Sequence, residues 1–81
     1  MFDVEKIRAD FPILHQLING KRNTFLDTAA SAQKPRIVID SMTKMYMQNY
    51  ANVHRGSYYL SEHATEAYEN ARCIVKNFIN A

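Results

Sequence analysis

A histidine, an arginine and a glycine adjoin one another in the stretch YANVHRGSYYLS, residues 50–61. His54 could carry a proton or donate a hydrogen bond, while Arg55 could bind a carboxylate or a phosphate group. Gly56 would let the backbone turn between them. Two polar residues without a defined geometry specify no reaction. Taken alone, the stretch therefore favours a solvated loop, with a binding or catalytic site as the alternative.

A second stretch, FLDTAASAQKP at residues 25–35, contains a run of small side chains. Ala29 and Ala30 stand near its centre, between Asp27 and Pro35. Small side chains allow a backbone to approach a ligand closely, but they also allow a tight turn, and the run alone favours the turn. The sequence has no GxGxxG motif and no Walker loop, so it predicts no phosphate cradle.

The single cysteine and the two other histidines are weaker candidates for chemistry. Cys73 falls within a predicted helix with no histidine at an adjacent helical position, which favours a structural role. His15 and His63 have no spaced partner that could complete a metal site. We therefore predict no metal ligand and no nucleophile among these residues.

Composition excludes several classes of function. Ten Lys and Arg against eight Asp and Glu give a net charge of +2 without a basic block, so a nucleic-acid partner is not expected. No apolar run approaches the length of a membrane span, and the N-terminus carries acids where a signal peptide has basic residues. The sequence predicts a cytoplasmic protein without a membrane partner.

Hydrophobic spacing and turn residues indicate the first elements that must position these stretches. Asp3 is a suitable N-cap for a short helix that Pro12 would end. Asn19-Gly20 predicts a hairpin turn, because a type I′ turn requires positive φ at both central residues. Its strands are predicted at Leu17 and Ile18 and at residues 24–26, and a longer loop over residues 20–23 stays open as the alternative to the two-residue turn.

Two further helices complete the prediction. One starts at Pro35 and has a mostly apolar face that ends at Asn49, and another is capped by Ser61 and runs nearly to Ala81. Three helices and a short β-hairpin make an α+β arrangement. No linker or repeat interrupts it, so residues 1–81 are predicted to belong to one domain without an internal boundary.

The two stretches, in this order and separation, carry a family resemblance. FLDTAASAQKP followed by YANVHRGSYYLSEHATEAYENAR closely resembles the N-terminal part of the cysteine desulfurases, the class-V aminotransferases that serve iron–sulfur cluster assembly. The opening IRADFPIL and the Asn19-Gly20 hairpin fit the same family. The resemblance therefore covers essentially all 81 residues.

The resemblance implies a pyridoxal 5′-phosphate enzyme of the α/β fold type I that acts as a homodimer. Such enzymes take sulfur from L-cysteine, leave L-alanine, and hold the sulfur as a persulfide for an acceptor protein. The family's Schiff-base lysine and nucleophilic cysteine would lie beyond Ala81. We accordingly expect no catalytic or cofactor-binding residue in these 81 residues, and no activity from them alone.

Four residues match family positions near the substrate. Ala29 and Ala30 match small residues that line the substrate pocket, and His54 and Arg55 match the loop that borders the entrance. Tyr58 departs from the family, which often has histidine there, so its role is undefined. Two alternatives stay open: a truncated, inactive remnant or small helical interaction module, and a selenocysteine lyase or related pyridoxal-phosphate lyase.

Overall fold

The computed structural model describes all 81 residues. Two compact units make up the chain, Met1–Met42 and Thr43–Ala81. Three α-helices and a two-stranded antiparallel sheet form the regular structure, which agrees with the α+β elements predicted from the sequence. In chain order they are α1 (Val4–Arg8), β1 (Leu17–Ile18), β2 (Lys21–Arg22), α2 (Arg36–Lys44) and α3 (Tyr59–Phe78).

Helix α1 starts as predicted. The Asp3 side chain accepts a hydrogen bond from the backbone N of Lys6 at 3.2 Å, which satisfies one of the free donors of the first turn. Phe11 is extended (φ −110°, ψ 99°), the conformation that a following proline enforces. Pro12–His15 then form a 3-10 turn that leads into the sheet.

The hairpin turn is confirmed, whereas its predicted second strand is wrong. Asn19 (φ 54°) and Gly20 (φ 75°) both adopt the left-handed conformation of a type I′ turn. Such a two-residue turn pairs the residues on either side of it, so Ile18 pairs with Lys21 and Leu17 with Arg22. Residues 24–26 therefore lie beyond the ladder, and no strand forms there.

Helix α2 begins at Arg36, one residue after Pro35, where the sequence predicts its start. The Pro35 carbonyl accepts hydrogen bonds from the backbone N of Val38 at 3.0 Å and of Ile39 at 3.3 Å. Past Lys44 the helix widens into a π-helical turn, Met45–Asn49, and the rings of Tyr46 and Tyr50 lie 5.3 Å apart. The helical segment thus ends at the position that the sequence predicts.

Helix α3 spans 20 residues and begins three residues earlier than predicted. Tyr58 occupies the N-cap without a side-chain hydrogen bond, and Ser61 is already the third helical residue. The prediction of Ser61 as N-cap is wrong because its hydroxyl instead donates to the Asn52 carbonyl at 2.5 Å. Glu62 in the first turn and Lys76 in the last turn suit the helix dipole.

Burial is sparse in both units. No apolar side chain is buried, and Ser61 is the single buried residue. The apolar residues at the C-terminal end of α3 are exposed, with Phe78 at 89% and Ile79, the residue after the helix, at 62% exposure. None of the helices has both the length and the apolarity needed to cross a membrane.

Candidate functional site

The connection between the π-helical turn and α3 is held to α3 through His54. His54 has φ 68°, a left-handed conformation that a residue with a Cβ rarely adopts. Its backbone N donates to Thr65 Oγ1 at 2.8 Å. The left-handed residue is thus the histidine, and the expectation that Gly56 supplies the turn is wrong, because Gly56 has no positive φ. A residue keeps such a conformation where contacts with the surrounding structure hold it in place.

The imidazole of His54 has two further contacts on the same helix. Its Nε2 lies 2.8 Å from Glu69 Oε1, and its ring meets that of Tyr68 edge-on at 5.5 Å between centroids. The side chains of His54 and Glu69 are about half exposed, at 49% and 51%. Solvent therefore screens the contact between the two side chains, and its main effect is to fix the ring rather than to stabilise the whole protein.

Ser61 anchors the loop from within α3. It is fully buried, its hydroxyl donates to the Asn52 carbonyl at 2.5 Å, and its own carbonyl accepts from Thr65 Oγ1 at 2.9 Å. Gly56 packs directly against it, because a Cβ on Gly56 would lie 2.6 Å from Ser61 Oγ. Gly56 is therefore required for close approach.

Arg55 lies between the two anchored positions with its side chain at the surface. It is exposed, and neither ion pair of the structure involves it. A guanidinium without a protein partner can donate paired hydrogen bonds to a carboxylate or a phosphate. Within this loop, Arg55 is thus the residue best suited to bind an anion.

Ala29 and Ala30 lie in the first unit, whereas His54 and Arg55 lie in the second. The alanines form a turn in which the Asp27 carbonyl accepts hydrogen bonds from the backbone N of Ala30 and of Ser31, both at 3.1 Å. Both alanines are exposed. The structure brings together the histidine and arginine of the predicted set on one loop, and the two alanines in one turn.

Sequence reasoning missed the residues of α3 that hold the loop. Ser61, Thr65 and Glu69 recur at positions i, i+4 and i+8, which places them on one face of the helix, and Tyr68 adjoins that face. A polar stripe along a helix, opposite a loop with a histidine, is a signal that could have found them. Its interpretation needs the tertiary contact, because 15 residues separate His54 from Glu69.

Two other candidate residues, Cys73 and His63, lie on α3, and each contacts a neighbouring side chain. Cys73 is exposed on α3, and its sulfur lies 3.8 Å from Nδ2 of Asn77. The ring of His63 stacks on that of Tyr59 with centroids 5.7 Å apart. No group of three His, Cys, Asp or Glu side chains stands close enough to hold a metal ion.

Comparisons with known proteins converge on one family. The aminotransferase class-V family model matches residues 24–81. The cysteine desulfurases of Salmonella typhimurium and Salmonella typhi are 55% identical over 80 residues, which is 99% of this chain and 20% of theirs. The apo structure of a cysteine desulfurase from Thermococcus onnurineus NA1 superimposes with a TM-score of 0.80 at 37% identity, over 100% of this chain and 19% of that one. The chain thus spans about a fifth of the length of these relatives.

Proposed function

Because the chain belongs to the aminotransferase class-V family, we propose that it is the N-terminal part of a cysteine desulfurase. Such an enzyme moves the sulfur atom of L-cysteine to the thiol of an enzyme cysteine, which becomes a persulfide, and releases L-alanine. The observation that carries the proposal is 55% identity over 80 residues to cysteine desulfurases. That span includes both the small-residue turn and the His54-Arg55 loop.

Pyridoxal phosphate is the cofactor that membership of this family implies, and it would supply the electron sink for the reaction. These 81 residues do not by themselves fit it. Every buried side-chain polar atom already has a hydrogen-bond partner, and the grooves along α3 and beside the hairpin are open at the surface. We therefore assign no cofactor contact to this chain, and the catalytic lysine and cysteine to the remainder of the enzyme.

The proposed contribution of this chain is to the substrate entrance. Arg55 would help to hold the carboxylate of L-cysteine or the loop near the nucleophile, and His54 would serve as a polar neighbour or as a proton relay. Ala29 and Ala30 would leave room for the substrate beside the backbone. The support for these roles is the exposed, unpaired guanidinium of Arg55, together with the location of all four residues within residues 24–81, the span that the family model matches.

The rest of the proposal concerns the whole enzyme. It would have the α/β architecture of fold type I, with residues 1–81 inside one of its domains, and would act as a cytoplasmic homodimer that passes sulfur to an acceptor protein of iron–sulfur cluster assembly. Exposed apolar patches are typical of surfaces that pack against a partner. The open faces of α2 and α3, with Met42 at 51% and Phe78 at 89% exposure, would pack against the remainder of the enzyme.

The function is tested with the protein expressed from the whole reading frame and loaded with pyridoxal phosphate. We expect equal amounts of L-alanine and of protein-bound persulfide from L-cysteine, measured by amino-acid analysis and by sulfide release with a thiol reductant. A loaded enzyme that forms no L-alanine from L-cysteine would contradict the proposal. Faster turnover of L-selenocysteine than of L-cysteine would favour a selenocysteine lyase instead.

Replacing Arg55 tests its role at the entrance. Arg55→Ala in the whole enzyme is expected to raise KM for L-cysteine about fivefold, because a screened charge pair contributes about 1 kcal/mol. Arg55→Lys should retain part of the affinity, since it keeps the charge and loses the paired geometry. Steady-state kinetics measure both, with Arg72→Ala, an exposed arginine of α3, as the control. Unchanged KM and unchanged turnover in Arg55→Ala would exclude the role.

A further inference from the structure

We propose that Glu69 is a positioning residue that fixes Arg55 through the imidazole of His54, an inference that rests on the proposed function for its effect on catalysis. Glu69 Oε1 lies 2.8 Å from His54 Nε2, and Arg55 is the next residue along the chain. Glu69 itself does not contact the substrate in this proposal. It acts by holding the loop from which Arg55 projects.

His54 is attached to α3 at three points that lie within about one helical turn. Its backbone N bonds to Thr65, its Nε2 to Glu69, and its ring packs edge-on against Tyr68. Together these contacts hold a left-handed backbone (φ 68°) that the residue would otherwise seldom adopt. Loss of the Glu69 contact removes the only one of the three that fixes the imidazole by a hydrogen bond.

The backbone angles of His54 determine the direction in which the Arg55 side chain projects from the loop. Beyond Arg55 the chain is fixed again, because Gly56 packs closely against the buried Ser61. Arg55 has no ion pair of its own, so its placement depends on these two flanking anchors. The His54 anchor is the one that a single side chain, Glu69, can release.

The exposure of the pair sets the kind of effect to expect. Both side chains are about half exposed, at 49% and 51%, so their attraction is screened and adds little to global stability. The order of residues 54–56 is what changes when Glu69 is replaced. Hydrogen exchange of the loop, rather than thermal unfolding, is therefore the appropriate measurement.

The experiment compares Glu69→Ala with Glu69→Gln and Glu66→Ala in the whole enzyme, using hydrogen exchange of a peptide that covers residues 50–58. Glu69→Ala is expected to speed exchange of this peptide about tenfold. Glu69→Gln should stay within about twofold of the unaltered enzyme, because its amide oxygen can still accept from the imidazole. Glu66 is exposed on the preceding turn without a bond to His54, so Glu66→Ala should change nothing.

Kinetics test whether the effect passes through Arg55. Glu69→Ala is expected to raise KM for L-cysteine several-fold with kcat within about twofold, and the double variant Arg55→Ala, Glu69→Ala should match Arg55→Ala alone. Equal exchange in Glu69→Ala and Glu66→Ala would overturn the proposal, and so would additive effects on KM. Absence of cysteine turnover in the unaltered enzyme would instead overturn the proposed function, and the exchange comparison would still decide whether Glu69 holds the loop.

Discussion

Gly56→Ala is expected to lower the free energy of opening of the loop by about 1–3 kcal/mol, the usual cost of forcing extra atoms into a packed site. A Cβ at this position would lie 2.6 Å from both Ser61 Oγ and Tyr58 Cε1, and 2.7 Å from Ser61 Cβ. Ser61 cannot move aside, because it is buried in α3 and bonded to the Asn52 carbonyl. The loop must therefore shift away from the helix.

Replacing glycine by alanine usually stabilises a protein where the backbone permits it, by about 0.4–1 kcal/mol, because the unfolded chain loses freedom. Gly56 meets that backbone condition, since its φ is not positive. The contact distances nevertheless decide the sign, because 2.6 Å is far inside van der Waals contact. We therefore expect Gly56→Ala to destabilise the loop, although the backbone conformation of Gly56 would permit alanine.

Hydrogen exchange of residues 50–58 in the protein expressed from the whole reading frame measures the effect, and Gly20→Ala is the matched control. Gly20 has φ 75° and open space around it, so its replacement strains only the hairpin turn. The control should leave exchange in residues 50–58 unchanged. Exchange in Gly56→Ala as slow as in the unaltered protein would show that the loop accommodates a methyl group, against the expectation.

Local sequence rules predicted the hairpin turn and missed its second strand for one physical reason. Asn19 and Gly20 are residues that tolerate positive φ, so the turn can be read from two letters. The position of the strand then follows from the turn, which pairs Lys21 and Arg22 at once. The apolar content of residues 24–26 favours a strand there, but the two-residue turn places the second strand at residues 21–22. The prediction from apolar content is therefore wrong.

The site was predictable only as far as its residues are adjacent in sequence. His54 and Arg55 stand out as neighbours, and the family resemblance suggested their role, which stays a prediction. The contacts that hold them come from a different element, 11 and 15 residues further along the chain. Ser61 was misassigned for the same reason: serine before a helix is a common cap, and only the fold reveals that its hydroxyl points to Asn52.

Ser61→Ala is expected to lower the free energy of opening of the loop by about 1–2 kcal/mol, the cost of a lost hydrogen bond whose acceptor is left facing a buried site. The Ser61 hydroxyl donates to the Asn52 carbonyl at 2.5 Å and is the only fully buried side-chain group of the chain. Ser41→Ala is the matched control. Ser41 also donates to a backbone carbonyl, that of Ile37 at 2.7 Å, but on the exposed surface of α2. Loss of this hydrogen bond in Ser41→Ala should therefore lower the free energy of unfolding by less than about 0.5 kcal/mol.

The two largest effects should also be coupled, because Gly56 and Ser61 share one contact. Ser61→Ala removes the Oγ that a Cβ on Gly56 would meet at 2.6 Å, but it keeps the Cβ at 2.7 Å. The double variant Gly56→Ala, Ser61→Ala should therefore be less destabilised than the sum of the single variants, yet more than either alone. Hydrogen exchange of residues 50–58 in the four proteins of this cycle gives the coupling directly. Strict additivity would mean that the two positions act independently, and that the contact with the Ser61 hydroxyl is not what destabilises Gly56→Ala.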